Sequence, residues 1–161
     1  MTQTVYIRTP VGVAEITGDE NGVSTIHVLE SEKSISETIP GVLTDAVSQL
    51  QEYFSHHRKE FTFKMNPQGS EFQKSVWKLL LAIPFGKTVS YMDITKKLGD
   101  VKAIRAVASA NGKNPLWIVV PCHRVIGSNG SLTGYAGGLW RKKWLLEHEN
   151  PPQQQTMFFN L

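Results

Sequence analysis

The 161-residue sequence contains one cysteine, Cys122, and no long apolar run. A single thiol excludes an internal disulfide and a four-cysteine zinc site. No stretch approaches the roughly 18 apolar residues of a transmembrane helix, and the first ten residues lack the charged-then-apolar pattern of a signal peptide. We therefore expect a soluble protein of the cytoplasm, or of the nucleus in a eukaryote, with no membrane partner. We also expect no metal and no cofactor.

Acidic residues are scarce in the second half of the chain. Residues 67–161 carry 12 Lys/Arg against 5 Asp/Glu, residues 1–66 carry 5 against 9, and the net charge is +3. A basic half beside an acidic half is typical of a surface for a polyanion, although ordinary solvated lysines explain the charge equally well. Hydrophobic residues make up 40% of the chain, which is enough for a core and disfavours global disorder.

Residues 1–66 predict a small N-terminal α/β domain. β-branched residues cluster in three stretches that are separated by turn-forming residues, namely 4–8, 11–16 and 22–29. This pattern predicts a three-stranded antiparallel sheet. Pro40 then opens a helix with apolar positions at helical spacing, and residues 61–63 are consistent with a further short strand.

Residues 67–150 predict a mostly helical second domain, so the fold class is α+β. Ser70 and Gln73 have the spacing of a capping box, and the apolar periodicity of the helix that follows ends before Pro84. Residues 151–161 include two prolines and three glutamines, and we expect them to be a flexible tail.

Two short helices joined by a tight turn, residues 90–98 and 101–111, have the proportions of a helix-turn-helix. The second is rich in alanine, which favours either close packing inside the domain or insertion into a minor groove with Arg105 projecting. Residues 118–120 predict a short strand or an extended run. Residues 139–149 predict a final helix with an apolar stripe made of Trp140, Trp144 and Leu145.

Cys122 is the candidate nucleophile, although a lone cysteine is more often a small buried hydrophobe. Pro121 fixes the backbone before it, and the neighbouring His123 and Arg124 favour the thiolate. A thiol with a pKa of ~8.5 is only a few per cent ionised near neutral pH, so His123 is the candidate base, directly or through a water. A histidine base needs an orienting acceptor. Glu149 is a candidate for that role, or else a solvated residue at a helix end.

The sequence 121–124 within 118–125 resembles the active-site signature of the O6-alkylguanine-DNA alkyltransferases, also called methylated-DNA–protein-cysteine methyltransferases. Further stretches resemble that family in the same order. They are 83–91, before the helix-turn-helix; 105–107, in the recognition helix; 111–115, the asparagine hinge; 133–138, the substrate-pocket loop; and 143–149, the last helix. The resemblance covers residues 69–149, whereas residues 1–66 match the family only in length and general pattern.

The resemblance implies a DNA repair enzyme, a methylated-DNA–[protein]-cysteine S-methyltransferase that inactivates itself. Cys122 would take the alkyl group from guanine O6 in one irreversible event, with His123 as the base and Glu149 orienting it. Tyr91 would donate a proton toward guanine N3. The damaged base would have to flip out of the duplex, because O6 is not open to in-line attack by a protein thiol within the stack.

The resemblance also implies the binding residues. The partner would be double-stranded DNA containing O6-alkylguanine, bound through its minor groove by a monomer. Arg105 would occupy the space of the flipped nucleotide, Asn114 would hold the turn before the active site, and Tyr135 would cover the base. Further substrate contacts are implied at Val125, Ala136 and Gly137, and further DNA contacts at Tyr91, Ala106, Ser109 and Arg124.

Two other functions remain open from the residues themselves. One is a non-catalytic protein that binds lesions or regulates transcription through the helix-turn-helix. The other is a cysteine hydrolase built from Cys122, His123 and Glu149, but the sequence offers no convincing donor pair for an oxyanion hole. Ala136 stands where some family members carry serine, so any contact to O6 at this position must come from a backbone N–H.

Overall fold

The computed structural model describes residues 1–151, an α+β chain that divides into two compact units. The first unit comprises Met1–Lys74 together with Asn114–Val120, and the second comprises Ser75–Lys113 together with the chain from Pro121 onward. No helix in the described part of the chain is long and apolar enough to cross a bilayer. The predicted flexible tail lies outside the described residues except for its first residue.

The first unit contains the predicted three-stranded antiparallel sheet. Its strands follow one another in space as they do in the chain, with β1 at Gln3–Thr9, β2 at Gly12–Asp19 and β3 at Gly22–Val28. Side chains alternate across a strand, and one set of them is fully buried, including Val5, Ile16 and Ile26.

A helix follows Pro40, as predicted. The chain first makes a single 3-10 turn at Gly41–Leu43 and then forms α1 at Thr44–Phe54. Leu50 and Tyr53 on α1 are fully buried, so this helix supplies much of the core of the first unit.

The predicted strand at residues 61–63 is wrong. The Thr62 backbone N–H donates to Gln49 Oε1 at 2.8 Å, and Gln49 Nε2 donates to Thr62 Oγ1 at 2.9 Å. Since a side chain of α1 takes these bonds, this segment forms no strand ladder. The chain contacts the sheet at residues 64–66, where the Val23 N–H donates to the Lys64 carbonyl at 2.9 Å and Met65 makes an isolated parallel bridge with Val23.

The predicted strand or extended run at residues 118–120 is also wrong, because these residues form a tight turn. Asn114 Nδ2 donates to the Val120 carbonyl at 2.7 Å, and Asn114 Oδ1 accepts from the Leu116 N–H at 2.9 Å. Ile118 has a φ of 71°, a left-handed conformation that an extended strand excludes. One asparagine side chain therefore closes this turn.

Capping boxes begin two helices, α2 at Glu71–Leu81 and α3 at Tyr91–Leu98. In each box a serine hydroxyl accepts from the backbone N–H three residues later, and the side chain of that later residue accepts from the serine N–H. The pairs are Ser70 with Gln73 and Ser90 with Asp93. Gly99 ends α3 in the left-handed conformation, with a φ of 96°. The start of α2 agrees with the capping box predicted at Ser70 and Gln73.

The predicted helix-turn-helix is present in the second unit. A 3-10 turn at Val101–Ala103 leads from α3 into α4, which spans Ile104–Gly112. The Trp77 Nε1–H donates to the Ala110 carbonyl at 2.8 Å and ties α2 to the buried side of α4. The opposite side of α4 is exposed and carries Arg105, Ala106, Ala108 and Ser109.

Two very short strands and a final helix complete the second unit. β4 at Val89–Ser90 pairs in parallel with β5 at Val125–Ile126, so the start of α3 lies beside the chain that follows Cys122. The final helix, α5, spans Leu139–Glu149, as predicted.

The predicted apolar stripe of α5 is wrong for one of its three residues. Leu145 is fully buried and Trp144 is half-buried, but 56% of Trp140 is exposed. Three polar residues take the inward face beside Leu145, namely Arg141, Lys142 and Glu149. A hydrophobic pattern cannot reveal this face, because its charged side chains are buried against specific partners in the rest of the unit.

Candidate active site

Cys122 lies at the start of a single 3-10 turn, Cys122–Arg124, that follows Pro121. The Arg124 N–H donates to the Pro121 carbonyl at 2.9 Å, which closes the turn. Cys122 is 7% exposed and His123 is fully buried. The thiol is therefore shielded from solvent without being completely enclosed.

His123 and Glu149 meet in the second unit, which the sequence alone could not show. The His123 Nε2 and the Glu149 Oε2 lie 2.7 Å apart, and both side chains are buried. An ionised carboxylate only accepts hydrogen bonds, so the His123 Nε2 carries the hydrogen. In a neutral ring this leaves a lone pair on Nδ1, the nitrogen that can accept a proton.

Burial lowers the pKa of His123, and the hydrogen bond and charge of Glu149 offset this only in part. The imidazole is therefore neutral at physiological pH. Among the residues that the structure describes, no group makes a hydrogen bond to the buried His123 Nδ1. A neutral, oriented imidazole with an unused lone pair has the properties of a general base.

Arg124 supplies the charge that keeps Glu149 ionised. The Arg124 Nε donates to Glu149 Oε1 at 2.8 Å, and its Nη2 donates to Oε2 at 3.0 Å. Burial alone would raise the pKa of Glu149, but the hydrogen bonds from His123 and Arg124, together with the charge of Arg124, outweigh it and hold that pKa far below its usual value. The Gly86 N–H donates to Glu149 Oε1 at 3.3 Å as a further partner.

The position of Arg124 corrects one sequence-based interpretation. We predicted a DNA contact for this residue, yet it is 6% exposed and its third nitrogen, Nη1, donates to the Ile83 carbonyl at 2.8 Å. A guanidinium with these internal partners cannot reach a phosphate without breaking them. We therefore leave Arg124 out of the DNA-binding residues and assign it to the support of Glu149.

A cleft of about 520 Å³ opens in the second unit between α4 and the loop before α5. Its lining includes four residues that the sequence singled out, namely Tyr91, Arg105, Tyr135 and Ala136. The Tyr91 hydroxyl donates to the Thr133 carbonyl at 3.3 Å across this cleft. Cys122, Val125 and Gly137 are not among the lining residues. The structure thus places Tyr91, Tyr135, Arg105 and Ala136 around one cavity, with Cys122 outside its wall.

Asn114 belongs to the first unit, where it closes the turn that ends at Val120. That turn comes immediately before Pro121 in the chain. The hinge role expected of Asn114 stays a prediction.

Sequence reasoning missed two residues near the site. Lys142 is fully buried, its Nζ donates to the Thr133 carbonyl at 2.9 Å, and it interacts electrostatically with Cys122. Burial lowers the pKa of Lys142, which the neighbouring Cys122 offsets in part. Asn111 lines the cleft, and its buried Oδ1 has no hydrogen-bond partner in the described chain. Two basic residues in the first turn of α5 were a usable signal for Lys142, because cations are disfavoured at that end of a helix.

In residues 1–151, no three His, Cys, Asp or Glu side chains lie close enough together to hold a metal ion.

Comparison with known families identifies the class of protein that this fold and site define. Residues 71–151 match the DNA-binding domain of 6-O-methylguanine DNA methyltransferase. Residues 3–67 match the ribonuclease-like domain of the same proteins. The chain belongs to the 6-O-methylguanine DNA methyltransferase family.

Individual relatives support the assignment over nearly the whole chain. The methylated-DNA–protein-cysteine methyltransferase of Methanosarcina acetivorans is 45% identical over 147 residues, which cover 88% of this chain and 94% of that protein. Its counterpart in Mycobacterium tuberculosis is 43% identical over 158 residues, covering 94% and 96%. The crystal structure of the M. tuberculosis O6-methylguanine methyltransferase has a TM-score of 0.83 at 42% identity and covers 98% of this chain and 99% of that one. A further structure shows the M. tuberculosis protein in complex with DNA, with a TM-score of 0.82, 43% identity and coverage of 91% and 92%.

Proposed function

We propose that this protein repairs alkylated DNA by moving an alkyl group from guanine O6 to the Sγ atom of Cys122. The observation that carries the proposal is the buried His123–Glu149 pair beside the only cysteine. Glu149 holds the Nε2–H of His123 at 2.7 Å, and the Nδ1 remains available as a proton acceptor. The family membership supports the same reaction and gives its chemistry.

The transfer is a direct displacement. His123 takes the proton of the Cys122 thiol, directly or through a water, and the thiolate attacks the alkyl carbon. A sulfur–carbon bond forms as the bond between carbon and guanine O6 breaks. Tyr91 donates its hydroxyl proton to guanine N3, so guanine leaves as a neutral base. Because the resulting thioether is not hydrolysed, each molecule reacts once. The displacement itself requires no cofactor.

The exposed side of α4 provides the DNA-binding surface of this proposal. Small residues such as Ala106 and Ser109 let the helix backbone approach a minor groove closely, and the exposed Arg105 occupies the space of the flipped nucleotide. The similar M. tuberculosis protein, which has been solved with DNA, supports this role. Both activities then belong to residues 67–150, and a cytoplasmic location, or a nuclear one in a eukaryote, follows from the DNA substrate.

The base pocket is the cleft beside α4. Tyr135 covers the flipped guanine, and Ala136 has no side-chain donor, so a backbone N–H of the loop contacts O6. Val125 and Gly137 lie outside the lining of this cleft, and the family resemblance assigns their backbone to substrate contacts and Asn114 to the turn before Cys122. These roles follow from the family resemblance together with the positions described above.

Intact-mass measurement tests the function. The protein is incubated with an excess of a duplex that contains one O6-methylguanine. We expect each molecule to gain the mass of one methylene unit, on the peptide that contains Cys122, and then to stop. Cys122→Ala should gain nothing while it still binds the duplex. A non-catalytic binding protein would gain no mass, and a hydrolase would keep turning over and return to its starting mass, so either result would refute the transfer.

A further inference from the structure

The first turn of α5 departs from the usual rules for the start of a helix. Its N-cap is Gly138, which has no side chain to cap the helix, and the first turn contains no acidic residue. Arg141 and Lys142 stand there instead, only 5% and 0% exposed. The helix dipole disfavours cations at this end, and burial disfavours them again. Two such residues require specific partners.

Each of the two cations donates a hydrogen bond to a carbonyl group of the loop that precedes the helix. Arg141 Nη1 donates to the Gly137 carbonyl at 2.8 Å, and Lys142 Nζ donates to the Thr133 carbonyl at 2.9 Å. These two bonds bracket residues 134–136, which form one wall of the cleft beside α4. We call this wall the loop wall and the two cations the clamp.

The surroundings of the clamp strengthen its bonds. The guanidinium of Arg141 lies under the ring of Trp140, 4.5 Å from the ring centre, and is thereby shielded from water. Within the described residues, no carboxylate lies at ion-pair distance from Lys142, so its acceptor is the neutral Thr133 carbonyl. Hydrogen bonds from charged donors are stronger than neutral ones, and more so away from water.

The loop wall needs such bonds because its sequence does not fix its shape. Residues 127–138 include five glycines, the residue type with the greatest backbone freedom. The wall positions Tyr135 and Ala136 against the cleft, so a small displacement changes the width available to a group attached to guanine O6. Misplacement by about 1 Å can reduce a reaction rate by as much as 100-fold.

We propose that Arg141 and Lys142 are positioning residues whose clamp on the loop wall determines which alkyl groups at guanine O6 can react. This inference rests on the proposed function and adds a basis for its substrate selectivity. A clamped wall holds a base with a small O6-methyl group in line with the sulfur. A released wall loses that alignment and admits a bulkier group such as benzyl more readily.

Single-turnover rates test the clamp at Arg141. Two duplexes of the same sequence are used, one with O6-methylguanine and one with O6-benzylguanine. We expect Arg141→Met to slow methyl transfer about tenfold and benzyl transfer much less, because one charged hydrogen bond is lost. Arg141→Lys keeps a charged donor and should recover part of the methyl rate. Lys143→Met is the matched control, since it removes a charge from the exposed neighbour on the same helix.

Hydrogen exchange provides a second readout that needs no substrate. Amides of the loop wall should exchange faster in Arg141→Met than in wild type, and Lys143→Met should match wild type. An unchanged ratio of benzyl to methyl rates, or unchanged exchange of the loop wall, would overturn the clamp. Failure of the wild-type protein to transfer either group would instead refute the proposed function, and the two failures are thus distinct.

Discussion

Glu149 accepts hydrogen bonds from two buried side chains, and each bond has its own consequence. The bond from His123 Nε2 selects the ring tautomer and leaves a lone pair on Nδ1 for the proposed role of base. The paired bonds from Arg124 keep the carboxylate ionised in a buried place. Loss of the carboxylate would therefore remove the orientation of the base and also leave a buried guanidinium without its counter-charge.

Replacing Glu149 tests this dual role. We expect Glu149→Gln to slow alkyl transfer at least about 100-fold, as loss of the orienting carboxylate does in Ser-His-Asp triads. The rate is measured in a single turnover at a temperature where circular dichroism shows the variant to be folded. Glu147→Gln is the control, because Glu147 is exposed on the same helix two residues earlier.

A double variant separates the effect of Glu149 on the orientation of His123 from its effect on the stability of the fold. Arg124→Met combined with Glu149→Gln removes both charges and should regain stability without regaining the transfer rate. Transfer at the wild-type rate in either folded variant would contradict an orienting role for Glu149.

The buried imidazole of His123 predicts a loss of stability in mild acid. Its pKa is lower in the folded chain than its ordinary value, so the unfolded chain binds the extra proton first as the pH falls. The stability is fully present above pH ~6.5, and from there toward pH 5 it declines by up to about 1.4 kcal/mol per pH unit. Urea unfolding measured across this range gives the slope.

Two histidine variants test whether His123 causes this dependence of stability on pH, one at the buried His123 and one at an exposed histidine. His123→Gln should flatten it, whereas His57→Gln, which removes an exposed histidine, should leave it unchanged. A steep slope that persists in a folded His123→Gln protein would assign the effect to other groups. The range is chosen above the region where carboxylates titrate, so Glu149 does not contribute to it.

At the scale of elements, the sequence predicted those features that depend on neighbours within a few residues. The capping box at Ser70 was predicted because its hydrogen bonds span only three residues. The strand expected at residues 61–63 failed because Gln49, 13 residues away, takes the hydrogen bonds of Thr62. Local propensity cannot include such a competitor.

Helix α4 carries a prediction of its own, since Arg105 projects from its exposed side. Arg105→Ala should slow repair of an O6-methylguanine duplex at least about tenfold, because no side chain then fills the space of the flipped nucleotide. Transfer from free O6-benzylguanine base needs no flipping and should stay at the wild-type rate.

Arg8→Ala is the control for Arg105→Ala, because it removes an exposed arginine from the sheet of the first unit. It should change neither reaction. Equal losses on duplex and on free base in Arg105→Ala would refute the flipping role.

At the scale of the molecule, the resemblance of residues 69–149 to one family predicted the reaction, but the sequence could not show how the site is assembled. His123 and Glu149 are 26 residues apart, and only the fold brings them within 2.7 Å. The same holds for Arg124, whose burial contradicted the DNA contact expected from its charge. A hydrophobic pattern assigns polar residues to the surface, so it cannot predict the charged residues that are buried on the inward face of α5.

The uneven charge of the chain predicts that its affinity for duplex DNA depends on the salt concentration. The helix-turn-helix and its flanks expose several basic residues, namely Lys96, Lys97, Lys102, Arg105 and Lys113. Duplex binding should weaken with added salt, with a log–log slope of roughly −0.9 for each phosphate contact. Replacing both Lys96 and Lys97 with Gln should make the slope shallower by up to about two units.

Lys59→Gln, in the acidic first part of the chain, should leave the salt slope unchanged. Affinities are measured at several salt concentrations, since one value cannot separate charge from other contributions. Binding that does not respond to salt would exclude phosphate contacts by these lysines.

The contact between Trp140 and Arg141 of the clamp has a consequence for the fluorescence of the protein. Of the four tryptophans it is the one with most of its surface in solvent, and its ring covers the guanidinium of Arg141. An indole in this position can be reached by a dissolved quencher such as iodide, and its emission should respond to any shift of the cation beneath it. The protein thus carries its own fluorophore in contact with Arg141, and movements of the clamp during repair can be followed without an attached dye.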